Sequence, residues 1–210
     1  MKTVRYEIKV IDENCTGCYL CEQICPTGAI VMVGPKSSAL AVVNNDKCVA
    51  CFRCVDICED DALLVPERAV PFVAATDVNS VDPAAIFDLC DRAGCSPDVV
   101  ACPCSMTLNR EVAAAILKGA HTMADLALNT GIQSGCLMYC IAPAHRLLTT
   151  HLGIAPVPTS KHKWYPTDYV LADISDEVAA KHPEFFIAEE KALIGADMDA
   201  KRAAAHSSSK

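Results

Sequence analysis

The cysteines constrain this chain more than any other feature. Cys15, Cys18, Cys21 and Cys25 stand in a C-x₂-C-x₂-C-x₃-C run closed by Pro26. Cys48, Cys51, Cys54 and Cys58 repeat the spacing 33 residues later. Three thiols two residues apart meet at one centre only where the backbone curls tightly around it. Gly17, beside Cys18, suits such a curl because it carries no Cβ. A fourth ligand must then arrive from elsewhere in the fold. Zinc sites usually pair two C-x₂-C units, so this doubled run is a poor zinc pattern. Disulfides need an oxidising compartment. Met1-Lys2 runs straight into a charged segment, with no signal peptide ahead of it. The spacing is instead one by which thiolates hold iron–sulfur clusters.

The flanking residues agree. Val4–Ile11 alternates Val4, Tyr6, Ile8 and Val10 with Arg5, Glu7 and Lys9, which predicts a strand. Ala39–Val43 is a second strand candidate. Pro26-Thr27-Gly28-Ala29-Ile30 follows the first run, and Glu59-Asp60-Asp61-Ala62-Leu63 echoes it after the second, with Glu59 in place of proline. Residues 1–70 thereby resemble the two-cluster bacterial ferredoxins. The resemblance implies a small (βαβ)₂ domain holding two [4Fe–4S] clusters, the fourth cysteine of each run serving the other cluster. Cys15, Cys18, Cys21 and Cys58 would hold one cluster, and Cys48, Cys51, Cys54 and Cys25 the other. About 60 residues bury little apolar core, so the metal would supply folding energy.

Bulk properties bound the rest. A chain of 210 residues makes one or two small domains. The net charge of −8 disfavours nucleic acid as a partner. No apolar run approaches the roughly 18 residues of a transmembrane helix. Fourteen cysteines without an export signal point to thiolate ligands in a reducing cytoplasm. There is no G-x-G-x-x-G fingerprint, no C-x-x-C-H and no Ser/His/Asp or paired-carboxylate arrangement. The chain reads as a carrier of electrons with no catalytic residue of its own, its active site lying on another subunit.

Six cysteines remain outside the two runs. After a linker over 71–80, residues 81–155 read as a small all-α domain. Asp82 caps a helix that starts at Pro83 and stops at Gly94. Glu111–Leu117 is helical, with Asn109 or Thr107 as its cap. Thr122-Met-Ala-Asp125 forms a capping box, and a last helix runs from Cys136 to Leu152 with Pro143 near its start. On that helix Cys136 and Cys140, four residues apart, share a face. Cys102-Pro103-Cys104, Glu111, Ala115-Ile116, Gly119, Thr122, Asn129-Thr130-Gly131 and Gly135-Cys136 resemble the helical fold of the bacterioferritin-associated ferredoxins. That resemblance implies a third cluster on Cys102, Cys104, Cys136 and Cys140. The family holds a [2Fe–2S] cluster with a C-x₂-C pair. The wider Cys136-x₃-Cys140 pair here favours [4Fe–4S]. Cys90 and Cys95 read as core thiols, and His121, His145, His151 and His162 as surface or cap residues.

Residues 156–210 read as a partner-docking tail, with Trp164 and Tyr165 as anchors, an amphipathic helix over 183–194 and disorder over 196–210. The whole is an α+β chain. Its module order and cysteine count resemble the small electron-transfer subunit of the class II benzoyl-CoA reductases of anaerobic aromatic degradation. That resemblance implies a tungsten–pterin catalytic partner of the aldehyde:ferredoxin oxidoreductase type. An electron-transfer subunit of a flavin or other molybdenum/tungsten oxidoreductase and a freestanding ferredoxin-like carrier are the alternatives.

Overall fold

A computed structural model describes residues 2–162 and 171–208. The first unit is a twofold repeat. β1 (Lys2–Tyr6) is followed by β2 (Lys9–Val10), α1 (Leu20–Ile24), β3 (Ile30–Val33), β4 (Leu40–Val43), α2 (Arg53–Asp56), β5 (Leu63–Leu64) and β6 (Glu67–Ala74). Adding 33 to Gly17, Tyr19 and Gly28 gives Ala50, Phe52 and Asp61, and all six have positive φ. The tight curl expected at Gly17 therefore recurs in the second half, carried there by residues with side chains.

Pairing exchanges strands between the halves. β2 pairs antiparallel with β5, and β3 with β4. Each two-stranded sheet takes one strand from each half, so the cysteine ending one run is delivered to the start of the other. Cys25 leads into β3, β3 lies on β4, and β4 leads to Cys48. The strand expected over Val4–Ile11 is broken into β1 and β2, because β1 turns away to pair with β6. That pairing takes residues 71–74 out of the expected linker and into the sheet. Register shifts between Val4↔Phe72 and Tyr6↔Glu67. Pro71 lies in this stretch of β6, and proline cannot donate to a ladder.

The second unit packs α3 (Pro83–Arg92), α4 (Asn109–Leu117), α5 (Met123–Thr130) and α6 (Ile141–Leu152) around Leu89, Val112, Ile116, Leu126 and Leu147. Its capping signals act as the sequence suggests. Asp82 accepts from Ala84 N at 3.1 Å. Thr122 Oγ1 accepts from Asp125 N, while Asp125 accepts from Thr122 N, both at 3.0 Å. In α4 the cap falls at Leu108, whose N–H donates to Glu111 at 2.8 Å. Two expectations are corrected. The unit is not all-α, because β7 (Val100–Cys102) and β8 (Thr107–Leu108) form a hairpin around Cys102-Pro103-Cys104. And α6 starts at Ile141, not Cys136, because Leu137 holds left-handed backbone that a helix excludes.

The tail folds back where it is described. Ser160 lies against Gly28, and His162 Nδ1 stands 3.3 Å from Gln23 O on α1. After α7 (Asp176–Lys181), α8 (Ile187–Ser208) runs through the segment expected to be disordered. Arg202 grips Asp91 at 2.6 Å and Lys201 grips Asp98 at 2.5 Å, which ties α8 to the helical unit. Its start is displaced from the 183–194 helix of the sequence because Phe186 is left-handed. Trp164 and Tyr165 lie outside the described residues.

Candidate metal centres

The cysteines fall into three groups. Burial pushes the Cys21 thiol up to about 11, and Cys18, Cys15 and Cys58 add to the rise as neighbouring charges. Those same four residues line one cavity, walled by Leu20, Met32, Ala41 and Leu63. In the second group burial raises Cys54, and Cys51, Cys48 and Cys25 reinforce it. Cys48 and Cys51, also raised by burial, both lie under the influence of Cys25. Each group thus joins three cysteines of one run to the last cysteine of the other, as the strand exchange dictates. Cys21 is the residue of the first group felt by Cys54, so the groups face each other there.

Backbone N–H groups aim at the sulfurs. Ala29 N donates to Cys25 Sγ at 3.2 Å and Ala50 N to Cys48 Sγ at 3.4 Å. The Glu22 and Arg53 amides act likewise on Cys21 and Cys51. Thiolates bound to iron accept such bonds, which stabilise their negative charge. The donor set therefore fits sulfur-ligated iron. Among the described residues, no three His, Cys, Asp or Glu side chains converge as one metal ion would require. The thiolates of a cubane each bind a different iron and stand apart.

Residues 14–63 match the family model of the 4Fe-4S dicluster domain. They form a 4Fe-4S dicluster ferredoxin domain. No curated protein and no solved structure matches the chain. The dicluster domain carries all eight cysteines of the doubled run, and its matched span stops short of the other six.

The third group lies in the helical unit. Cys140 donates to Cys102, which lowers Cys102 to about 5 and raises Cys140 by the same bond. Cys104 and Cys136 form a second pair, and Cys102 influences Cys136 and Cys104 as a neighbouring charge. The four sequence-expected cysteines therefore meet, across the 31 residues between Cys104 and Cys136. Cys136 and Cys140 do not get there on one helix face. The turn over Gln133–Cys140 bends them in, with Cys140 as the residue before α6. This turn also supplies donors. Cys136 N reaches Cys104 Sγ at 3.4 Å, the Tyr139 and Met138 amides reach Cys136, and the Gln133 amide reaches Cys140. Ser105 donates to Cys102.

Cys90 and Cys95 stay apart from all three groups, inside the helical core. Burial pushes Cys90 up to about 12 and Cys95 to about 11, values suited to packing rather than reactivity. His121 and His151 are exposed as expected. His145 and His162 are buried, the first on the inward face of α6, the second against α1, where burial lowers its pKa.

Two cations escape sequence reasoning. Lys2, at the start of β1, donates through Nζ to Ala50 O at 2.9 Å and to Ser134 O at 3.1 Å. Burial lowers its pKa, while Cys51, Cys48, Cys102 and Cys104 oppose that shift. Arg53 Nε donates to Gly135 O at 3.2 Å. Both span the seam between the second and third cysteine groups. No local pattern signals them, because their acceptors lie 132 and 82 residues away.

Proposed function

We propose that the chain is the electron-transfer subunit of a larger oxidoreductase in a reducing cytoplasm and has no catalytic residue of its own. Iron–sulfur clusters with cysteine ligands supply single-electron chemistry. Cys15, Cys18, Cys21 and Cys58 would hold the first [4Fe–4S] cluster, and Cys48, Cys51, Cys54 and Cys25 the second. Cys102, Cys104, Cys136 and Cys140 would hold the third, also a cubane. The observation that carries the reading is the meeting of these last four thiols beside the second group. A lone dicluster ferredoxin has no use for a third sulfur cradle against its second.

The order of the groups gives the relay a direction in space. Cys21 and Cys54 adjoin between the first and second groups, and Lys2 lies between the second and third. The two exposed thiols, Cys18 and Cys104, belong to the first and third groups. They mark the ends. Met106, two residues from Cys104, and Met138 and Tyr139, whose amides reach Cys136, are each at least two-thirds exposed. Exposed apolar side chains of this kind suit a lasting partner interface. Phe185, Phe186 and Leu193 of the tail are also exposed.

For the partner we adopt the class that the module order resembles, a tungsten–pterin subunit of the class II benzoyl-CoA reductase type. Anaerobic purification from the native source tests this. The chain is expected to travel with a larger tungsten-containing polypeptide. Elution as a monomer near 22.4 kDa would instead make it a freestanding carrier, and flavin in place of tungsten would assign another oxidoreductase.

A further inference from the structure

The seam between the two units is built around a single peptide group. Gly135 O accepts from Arg53 Nε at 3.2 Å. The N–H of the same peptide, on Cys136, donates to Cys104 Sγ at 3.4 Å. One carbonyl earlier, Ser134 O accepts from Lys2 Nζ, which also holds Ala50 O, the carbonyl joined to Cys51. Both cations come from the dicluster side: Arg53 immediately precedes Cys54, and Lys2 opens β1. Both acceptors belong to the turn that presents Cys136.

A hydrogen bond to a peptide carbonyl polarises the whole group and makes its N–H a stronger donor. A guanidinium is a charge-assisted donor and cannot be deprotonated in a protein. Arg53 therefore strengthens the bond that Cys136 N gives to Cys104 Sγ. Gly135 makes this contact possible, since a Cβ there would stand 2.8 Å from Cys104 Sγ. A stronger donor and two nearby positive charges stabilise the more negative, reduced state of a centre held by Cys104.

We propose that Arg53 and Lys2 form a cationic clasp by which the dicluster domain raises the reduction potential of the helical centre, with the Gly135–Cys136 peptide as its transmitting element. Both are positioning residues, acting through backbone groups. The clasp makes the third centre a better electron acceptor when the two units are docked. Electrons leaving the second centre are thereby drawn across the seam rather than back towards the first. This rests on the reading that Cys102, Cys104, Cys136 and Cys140 hold a cluster.

The test is an EPR-monitored potentiometric titration of the full chain, with the helical centre identified as the signal lost in Cys140→Ala. In Arg53→Met the midpoint potential of that centre is expected to fall, with the first centre unmoved. In Arg53→Lys, which keeps the charge, most of the fall is expected to be reversed. Lys2→Met is expected to lower the second and third potentials together, and it stands in should Arg53→Met fail to retain its iron. Unchanged potentials, or an equal shift in all three centres, would overturn the clasp. The iron content of the unaltered chain separates the two ideas. About eight irons per chain would mean that the helical centre itself is absent, whereas a full complement with an unmoved potential would refute the clasp alone.

Discussion

Gly135 and Gly17 are two positions where a methyl group would crowd a candidate centre. At Gly135 a Cβ would meet Cys104 Cβ at 2.7 Å. Gly135→Ala is expected to displace Cys104 and to lose about four irons per chain, with helical circular dichroism retained. Full iron content would contradict this. At Gly17 the backbone is left-handed, φ 71°, and a Cβ would stand 2.7 Å from Ala39 O. Ala50, its equivalent 33 residues on, tolerates φ 48° with a side chain. The crowding at Ala39 O, added to roughly 1–2 kcal/mol for left-handed backbone, is therefore what demands glycine. Gly17→Ala is expected to speed iron release from the first centre only, as followed by chelation kinetics. The twelve ligand candidates were legible in the sequence because spacing alone marks them. Arg53 and Lys2 were not, because a cation becomes significant only once the fold brings distant carbonyls to it.

Helix starts were read well where a side chain does the capping, at Asp82 and Thr122, since the signal is local. The start of α6 differs from the sequence expectation because apolar periodicity continues back to Cys136 while Leu137 takes left-handed backbone. No residue type there signals that conformation in advance. β6 was hidden by Pro71, which reads as a linker residue. The tail helix α8 allows two anchoring forces to be weighed. Arg202 and Lys201 make partly exposed ion pairs, which contribute little in water. Met198 is buried at 6 % exposure and shares one pocket lining with Asp91 and Gly94 of the helical unit. Met198→Ala, with a cost of about 2 kcal/mol or more, is expected to abolish hydrogen-exchange protection over α8. Arg202→Ala is expected to leave most of it. The reverse order would show that charge, not burial, holds the helix down.

The two units differ in what their cores are made of. In the dicluster domain the main buried cluster is Ile8, Cys21, Cys25, Ala29, Ile30, Ala41, Cys48, Cys54 and Leu63, so four of nine members are ligand candidates. The helical core is larger and rests on Leu89, Val112, Ile116, Leu126, Leu147 and Leu148. Iron removal is therefore expected to unfold residues 2–74 while α3 to α6 stay protected from hydrogen exchange. Simultaneous loss of protection in both units would show that the seam makes them one cooperative body. The dicluster domain was fully legible as such, because its doubled spacing has few other uses. The third cradle was legible as four cysteines but not as a place, since only tertiary structure reveals that it abuts the second group. The most direct measurement is iron and acid-labile sulfide per chain in anaerobically purified protein. About twelve of each are expected, for three cubanes. About eight of each would show that Cys102, Cys104, Cys136 and Cys140 hold no cluster, and would reduce the chain to a dicluster ferredoxin with a helical appendage.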